Sequence, residues 1–277
     1  MKIRKIPLIS VALISAAALA LAASSSITVK GSDTMVILAQ RWAEEYMKNN
    51  SSVSIQVTGG GSGTGISALI NGTTDICNAS RPMKSSECNQ LKQRYSSTGV
   101  EVKVAKDGVT LYVNEKSPVT ELSMEQIKGI YTGMITNWKE LGGPDASIIV
   151  YGRDNSSGTY EYFRDVILKG QDFTGTMQSM PGTAAVVNAV EKDVNGIGFG
   201  GAAYGKGIKY LKVKKDDDSP GYDPTLENIQ EGKYPITRYL YLYLRSKPTG
   251  EMKKFIDWVL SDQGQAVVSN VGYFPIR

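Results

Sequence analysis

Short β-branched runs that stop at glycine or serine, each followed by apolar residues at helical spacing, recur along this chain. Ile27 to Val29 breaks at Gly31-Ser32-Asp33-Thr34, after which Val36, Leu38, Ala39, Trp42, Ala43 and Tyr46 predict one face of a helix. Val53 to Val57 alternates apolar and polar as a strand does. It meets the glycine run Gly59 to Gly65 and continues with helical character through Ile66 to Ile70. Ile148 to Val150 leads into GRDNSSGT at 152–159 and then Tyr160, Phe163 and Val166 to Leu168, again at helical spacing. Three strand-loop-helix units of this kind predict parallel α/β sheets.

Two longer extended stretches stand apart from these units. VEVKVAKDGVTLYV, from Val100 to Val113, is too long for one ordinary strand, and Asp107-Gly108 interrupts it, which predicts a strand, a bend and a second strand. Ile236 to Leu244 is a late counterpart and precedes a helical end piece at Lys253 to Val268. One crossing leaving a first lobe and one returning to it predict two lobes with the second inserted, lobe I at 24–106 and 239–277 and lobe II at 107–238. Tyr239, Tyr241 and Tyr243 alternate with Leu240, Leu242 and Leu244, which fits a strand covered on both faces better than an aromatic binding stripe. The mixed-charge run KKDDD at 214–218, followed by Ser-Pro-Gly, is a solvated loop.

The N-terminus changes where this fold is expected to work. Lys2, Arg4 and Lys5 precede an uncharged apolar run from Ile6 to Ala23 that contains Ala20-Leu21-Ala22, the layout of a secretory signal peptide over residues 1–22. An uncleaved membrane anchor is the less favoured alternative. The chain is therefore expected in a periplasmic or extracellular compartment. Without the leader, 28 basic residues face 27 acidic ones, so the mature surface is near neutral and no nucleic-acid partner is indicated. Cys77 and Cys88 are the only cysteines. Such a pair is able to form a disulfide in an oxidising compartment or to remain two free thiols, and spacing alone leaves both open. There is no histidine, which removes the usual general base and the commonest metal ligand together, so neither a metal site nor a cofactor is expected.

What the loops do offer is hydrogen-bond donors. Helix N-termini carry four N–H groups without intrahelical partners and the positive end of the dipole, and so attract anions. Gly31 to Met35, Gly59 to Gly65 and Ser156 to Thr159 each combine hydroxyls with glycine at a predicted helix start. Taken singly, each is as well explained as an ordinary N-cap. Arg81 in NASRP and Arg153 in GRD add planar, permanently charged forks suited to phosphate or carboxylate oxygens. Competing glycine motifs fail: GGGSGTGI lacks the Lys-Ser/Thr ending of a Walker loop, has Ile66 where a dinucleotide fingerprint needs its third Gly, and has Thr64 where a nucleophile elbow needs Gly.

KGSDTM (30–35), VTGGGSGTGI (57–66), TDICNASRPMK (74–84), IYTGMITNWKELGG (130–143), GRDNSSGTYEYF (152–163) and NGIGFGG (195–201), in this order and spacing over essentially the whole mature chain, resemble the PstS-type phosphate-binding proteins of ABC importers. The resemblance implies a two-lobed periplasmic-binding-protein-like fold of type II, each lobe a mixed sheet with flanking helices, joined by two crossing strands. It implies a non-enzymatic, monomeric carrier that holds inorganic phosphate in the interlobe cleft and hands it to the permease subunits of the importer. It assigns Thr34, the backbone at Met35 and Ser62 to one wall, and Arg153, Ser157, Gly158 and Thr159 to the other. Family members carry an Asp that accepts the proton of hydrogen phosphate where this chain has Arg81, and an Asp pairing the binding arginine where it has Asn155. Arg81 is thereby expected to face the anion, with Asp33 or Asp154 as proton acceptor. Sulfate, arsenate, a phosphate-sensing or matrix role on the same fold, and, less favoured, an extracellular phosphatase are the alternatives.

Overall fold

The computed structural model describes residues 25–205 and 207–276. The leader expected at residues 1–22 lies outside the described residues.

The first lobe begins β1 (Ser25–Gly31), α1 (Val36–Asn49), β2 (Val53–Thr58), α2 (Ser62–Asn71), β3 (Ile76–Ala79) and α3 (Ser85–Tyr95). β1 lies between β2 and β3 and runs parallel to both, the pairing that strand-helix-strand crossovers produce. Alternation along the strands sends Ile27, Val29, Val53, Ile55 and Ile76 to one face, where α1 covers them with Leu38, Trp42 and Tyr46. Cys77 and Ala79 point the other way and pack against Ile66 and Leu69 of α2.

β4 (Val100–Val113) leaves this lobe as one continuous strand of 14 residues, so the bend expected at Asp107-Gly108 is absent. The reason lies across the ladder, where Gly108 and Asp107 pair with Thr237 and Arg238 of the returning strand. Gly108 serves packing: a Cβ there would meet Ile229 and Pro224 at 3.0 Å.

The second lobe follows as β5 (Glu121–Ser123), α4 (Met124–Thr132), β6 (Ile149–Arg153), α5 (Gly158–Val166), β7 (Gln178–Met180), α6 (Thr183–Lys192), β8 (Gly196–Gly201), β9 (Lys209–Lys214), β10 (Gly221–Tyr222) and α7 (Leu226–Gln230). Then β11 (Thr237–Leu244) returns, and α8 (Gly250–Val259) and α9 (Asp262–Val271) finish the first lobe. The main path of the curled sheet runs β2-β1-β3-β11-β4-β8-β6-β7. Strands are parallel within each lobe's β-α-β part and antiparallel where β4 and β11 cross, so each half is mixed.

Packing divides along those two strands. Val104 and Ala105 of β4 and Leu240, Leu242 and Leu244 of β11 belong to the core under α1, α8 and α9. Val109, Leu111 and Val113 belong to the core of the other half, beside Phe163 and Phe199. Those two rings stack at 4.0 Å between α5 and β8, with Tyr131 edge-on, and so fix α5 beneath the cleft. Tyr241 and Tyr243 are buried on the face opposite the leucines, so β11 is covered on both sides.

Candidate functional site

Three helix starts meet between the lobes, and glycines set how closely. Gly31 ends β1 at φ +148°, and a Cβ there would stand 2.1 Å from the Asn78 carbonyl oxygen, so only glycine lets the Ser32–Met35 turn cross β3. A Cβ on Gly158 would stand 2.3 Å from Ser62 Oγ and 2.7 Å from Ser80 Oγ. The N-termini of α2 and α5 therefore abut across the lobe boundary at glycine width, and Gly63 N donates to Ser156 O at 2.9 Å.

Six hydroxyl side chains are buried in this contact: Ser32, Thr34, Ser62, Ser80, Ser157 and Thr159. Ser32 Oγ donates to Ser80 Oγ (2.9 Å), Ser80 N donates to Ser62 Oγ (3.0 Å), and Thr34 Oγ1 lies 2.9 Å from Thr159 Oγ1 across the lobes. Ser157 Oγ accepts from the Thr159 and Tyr160 amides, so it is a true cap for α5. No side chain caps the turn at Asp33–Met35, α1 or α2, so the ordinary N-cap explanation fails for the other two starts. Met35 is buried, and its own amide donates to Ser32 O.

Charge enters from the second lobe. Arg153 is 2 % exposed; Nη2 donates to Asp33 Oδ2 at 2.5 Å, Nη1 donates to Thr183 Oγ1 at 3.1 Å, and Nε has no partner. Asp33 also accepts from Gly60 N at 2.8 Å. It thus supplies, from the opposite lobe, the carboxylate that Asn155 cannot. Asp154 turns into its own loop, where Oδ1 accepts from the amide and hydroxyl of Ser156.

Arg81 departs from its expected role. Its fork is filled by Glu87, with Nη1 and Nη2 donating at 2.9 and 2.8 Å, while Nη1 also donates to Pro82 O and Nε lies against Glu161 of α5. Lys84 pairs with the same Glu161. Burial pulls the Arg81 guanidinium down, but Glu87 and then Glu161 outweigh it and hold it above its usual value. Two first-lobe cations thus grip one second-lobe carboxylate, an interlobe ion cluster where a ligand fork was expected. Cys77 and Cys88 are free thiols, Cys77 buried on β3 and Cys88 half-buried on α3.

Several residues at the site carried no motif. Ser32 and Ser80 stood inside the quoted loops without an assigned role. Asp107 and Arg238 stood on the crossing strands, where an acidic and a basic residue amid buried neighbours were the only signal. Asp107 Oδ2 accepts from Arg238 Nε (3.0 Å) and Nη2 (2.8 Å), Oδ1 accepts from Ala202 N (3.3 Å), and Arg238 Nη2 also donates to Thr159 Oγ1 (3.0 Å). Burial pushes the Asp107 carboxyl up against the opposing pull of Arg238.

A buried interlobe cluster of O–H and N–H donors backed by a buried guanidinium can hold a small, multiply charged oxyanion by charge-assisted hydrogen bonds. Comparison with known proteins points the same way. A family model described as the PBP superfamily domain matches residues 16–263. The phosphate-binding protein PstS of Pseudomonas aeruginosa is 33 % identical over 270 residues, covering 91 % of this chain and 84 % of the relative. PstS of Staphylococcus saprophyticus is 34 % identical over 249 residues, covering 85 % and 76 %. Among solved structures, a Clostridium perfringens protein described as a phosphate ABC transporter substrate-binding protein, with bound phosphate, superposes with a TM-score of 0.84 at 31 % identity, covering 91 % of this chain and all of that one. An ABC-type phosphate transport receptor from Vibrio cholerae gives 0.71 at 30 % identity over 90 % of this chain and 99 % of its own.

Proposed function

Since the chain belongs to the PBP superfamily and, within it, to the PstS phosphate-binding proteins, we propose that it captures inorganic phosphate between its lobes and delivers it to an ABC importer. The single observation that carries this reading is the buried interlobe hydroxyl cluster at two uncapped helix starts, with Arg153 beside it. The anion sits against Thr34, the Met35 amide, Ser62, Ser157, Gly158, Thr159 and Arg153. The hydroxyls have protons to give to oxygens that carry negative charge once an anion replaces the Thr34–Thr159 contact, while the Met35 amide donates to Ser32 O in this arrangement. Asp33 has lone pairs beyond its bonds to Arg153 and Gly60 and is the acceptor for the proton of hydrogen phosphate; Asp154 is turned away. Arg81 serves at the rim, through Glu161, as a latch on the closed state.

Binding proceeds without bond-making. Open lobes expose the donors, the anion bridges them, and closure about β4 and β11 removes water, so that each charged hydrogen bond strengthens. The lobes comprise 24–106 with 239–277, and 107–238. A leader at 1–22 directs the chain out of the cytoplasm, and among the described residues no helix is long and apolar enough to cross a membrane. Its partners are phosphate and the permease subunits that read the closed surface.

A competition titration with phosphate, sulfate and arsenate across pH, read by the fluorescence of Trp42, Trp138 and Trp258, tests this function. Phosphate is expected to saturate the signal against excess sulfate. Preference for sulfate, or turnover of a phosphomonoester, would overturn it.

A further inference from the structure

Thr159 carries a hydrogen bond that contact with an anion does not require. Arg238 arrives on β11, 79 residues away in sequence and 7 % exposed, and places Nη2 3.0 Å from Thr159 Oγ1. Its Nε and Nη2 also hold Asp107 of β4, and Nη1 has no partner. Thr159 Oγ1 is in turn 2.9 Å from Thr34 Oγ1. One chain of hydrogen bonds therefore runs from both crossing strands to a hydroxyl of each lobe.

A hydroxyl has one proton and two lone pairs. When a guanidinium N–H occupies one lone pair, the O–H is polarised and its own proton becomes a better donor, a cooperative effect strengthened at low dielectric. Asp107 compensates the charge of Arg238, so its influence reaches the cleft through this contact more than through its field. We infer that Arg238 is a positioning residue: by filling one lone pair of Thr159 Oγ1 it turns that hydroxyl's proton away from the guanidinium, toward Thr34 Oγ1 here and toward an anion that takes its place, and so favours the fully ionised oxygens of a dianion over the protonated oxygen of a monoanion. This rests on the phosphate reading above.

The titratable groups near the guanidinium are Asp107 of β4, Tyr162 of α5, whose ring lies 5.3 Å from it, and Tyr241 of β11; Tyr112, Tyr204, Tyr210, Tyr234 and Tyr273 lie around Asp107. Burial pushes all these tyrosines up, so they stay neutral while phosphate titrates.

The test is a calorimetric phosphate titration of wild type, R238M, R238K, T159V and R238M/T159V, at pH values below and above the second ionisation of phosphate. R238M is expected to weaken binding roughly tenfold, the scale of one charge-assisted hydrogen bond. The loss is larger at the higher pH, and R238K recovers part of it. In the T159V background, R238M changes affinity by less than about twofold, because its route to the anion is already gone. An equal loss in both backgrounds, or a loss independent of pH, overturns the inference. If R238M fails to fold because Asp107 is left unpaired, R238M/D107N replaces it with the same expectations. Wild-type protein that ignores phosphate but binds sulfate or arsenate defeats the phosphate reading, and the same cycle on that anion still decides the role of Arg238.

Discussion

Ser62 is the hydroxyl whose proposed role in binding is joined to a role in stability. It accepts from the Ser80 amide at 3.0 Å with no exposure to water. Ser62→Ala leaves that amide unsatisfied and is expected to lower stability by about 1–3 kcal/mol and to weaken phosphate binding, which denaturant melts and calorimetry measure separately. Glu87 has a pH signature. Burial pulls its carboxyl up, but hydrogen bonds from Arg81 and the Lys84 amide outweigh this and hold it below the usual glutamate range. A depressed folded-state value means that its contribution is present above the ordinary glutamate range and is lost as pH falls through the folded value. The melting-temperature gap between wild type and Glu87→Gln is therefore expected at neutral pH and should shrink on acidification. Thr34, Ser62, Arg153 and the Ser157–Thr159 turn were legible in sequence because hydroxyl, glycine and arginine sit together in short loops. Arg238 and Asp107, 131 residues apart, were not, because only strand pairing joins them. Arg81 was legible as a cation beside small polar residues, but Glu161, the carboxylate it pairs with, lies on the other lobe.

At the scale of elements, the candidate site is two helix starts pressed together. Gly158→Ala would place a methyl carbon 2.3 Å from Ser62 Oγ. Each lobe is expected to keep its melting behaviour while closure fails, with phosphate affinity falling at least tenfold on the scale of a misplaced contact; calorimetry and small-angle scattering on one sample check both halves. Glu161→Gln removes the interlobe partner of Arg81 and Lys84. Release of phosphate is expected to quicken roughly tenfold with little change in association, as for truncation of a hydrogen-bonded charge pair, and stopped-flow fluorescence reads both rates. The strand-loop-helix units were visible from periodicity because each covers its own apolar face. The continuity of β4 was hidden, since Asp107-Gly108 looks like a turn until Arg238 supplies the carboxylate's partner.

For the whole molecule, the fold places two cores on either side of a pair of crossing strands and leaves the polar cluster between them. A ligand that binds only this closed arrangement stabilises it by mass action, about 2.7 kcal/mol at one hundred times its dissociation constant, which raises the melting temperature. The lobe arrangement was legible from two long extended segments, whereas the mutual approach of α2 and α5 depends on contacts no single stretch of chain contains. The central claim is that phosphate is held in that contact beside Arg153. Parallel calorimetric titration of wild type and Arg153→Ala with phosphate tests it most directly. One-to-one binding by wild type that falls by about 3–5 kcal/mol in the variant, the cost of removing one partner of a buried charge, is the predicted result; phosphate binding of equal strength by both would contradict it.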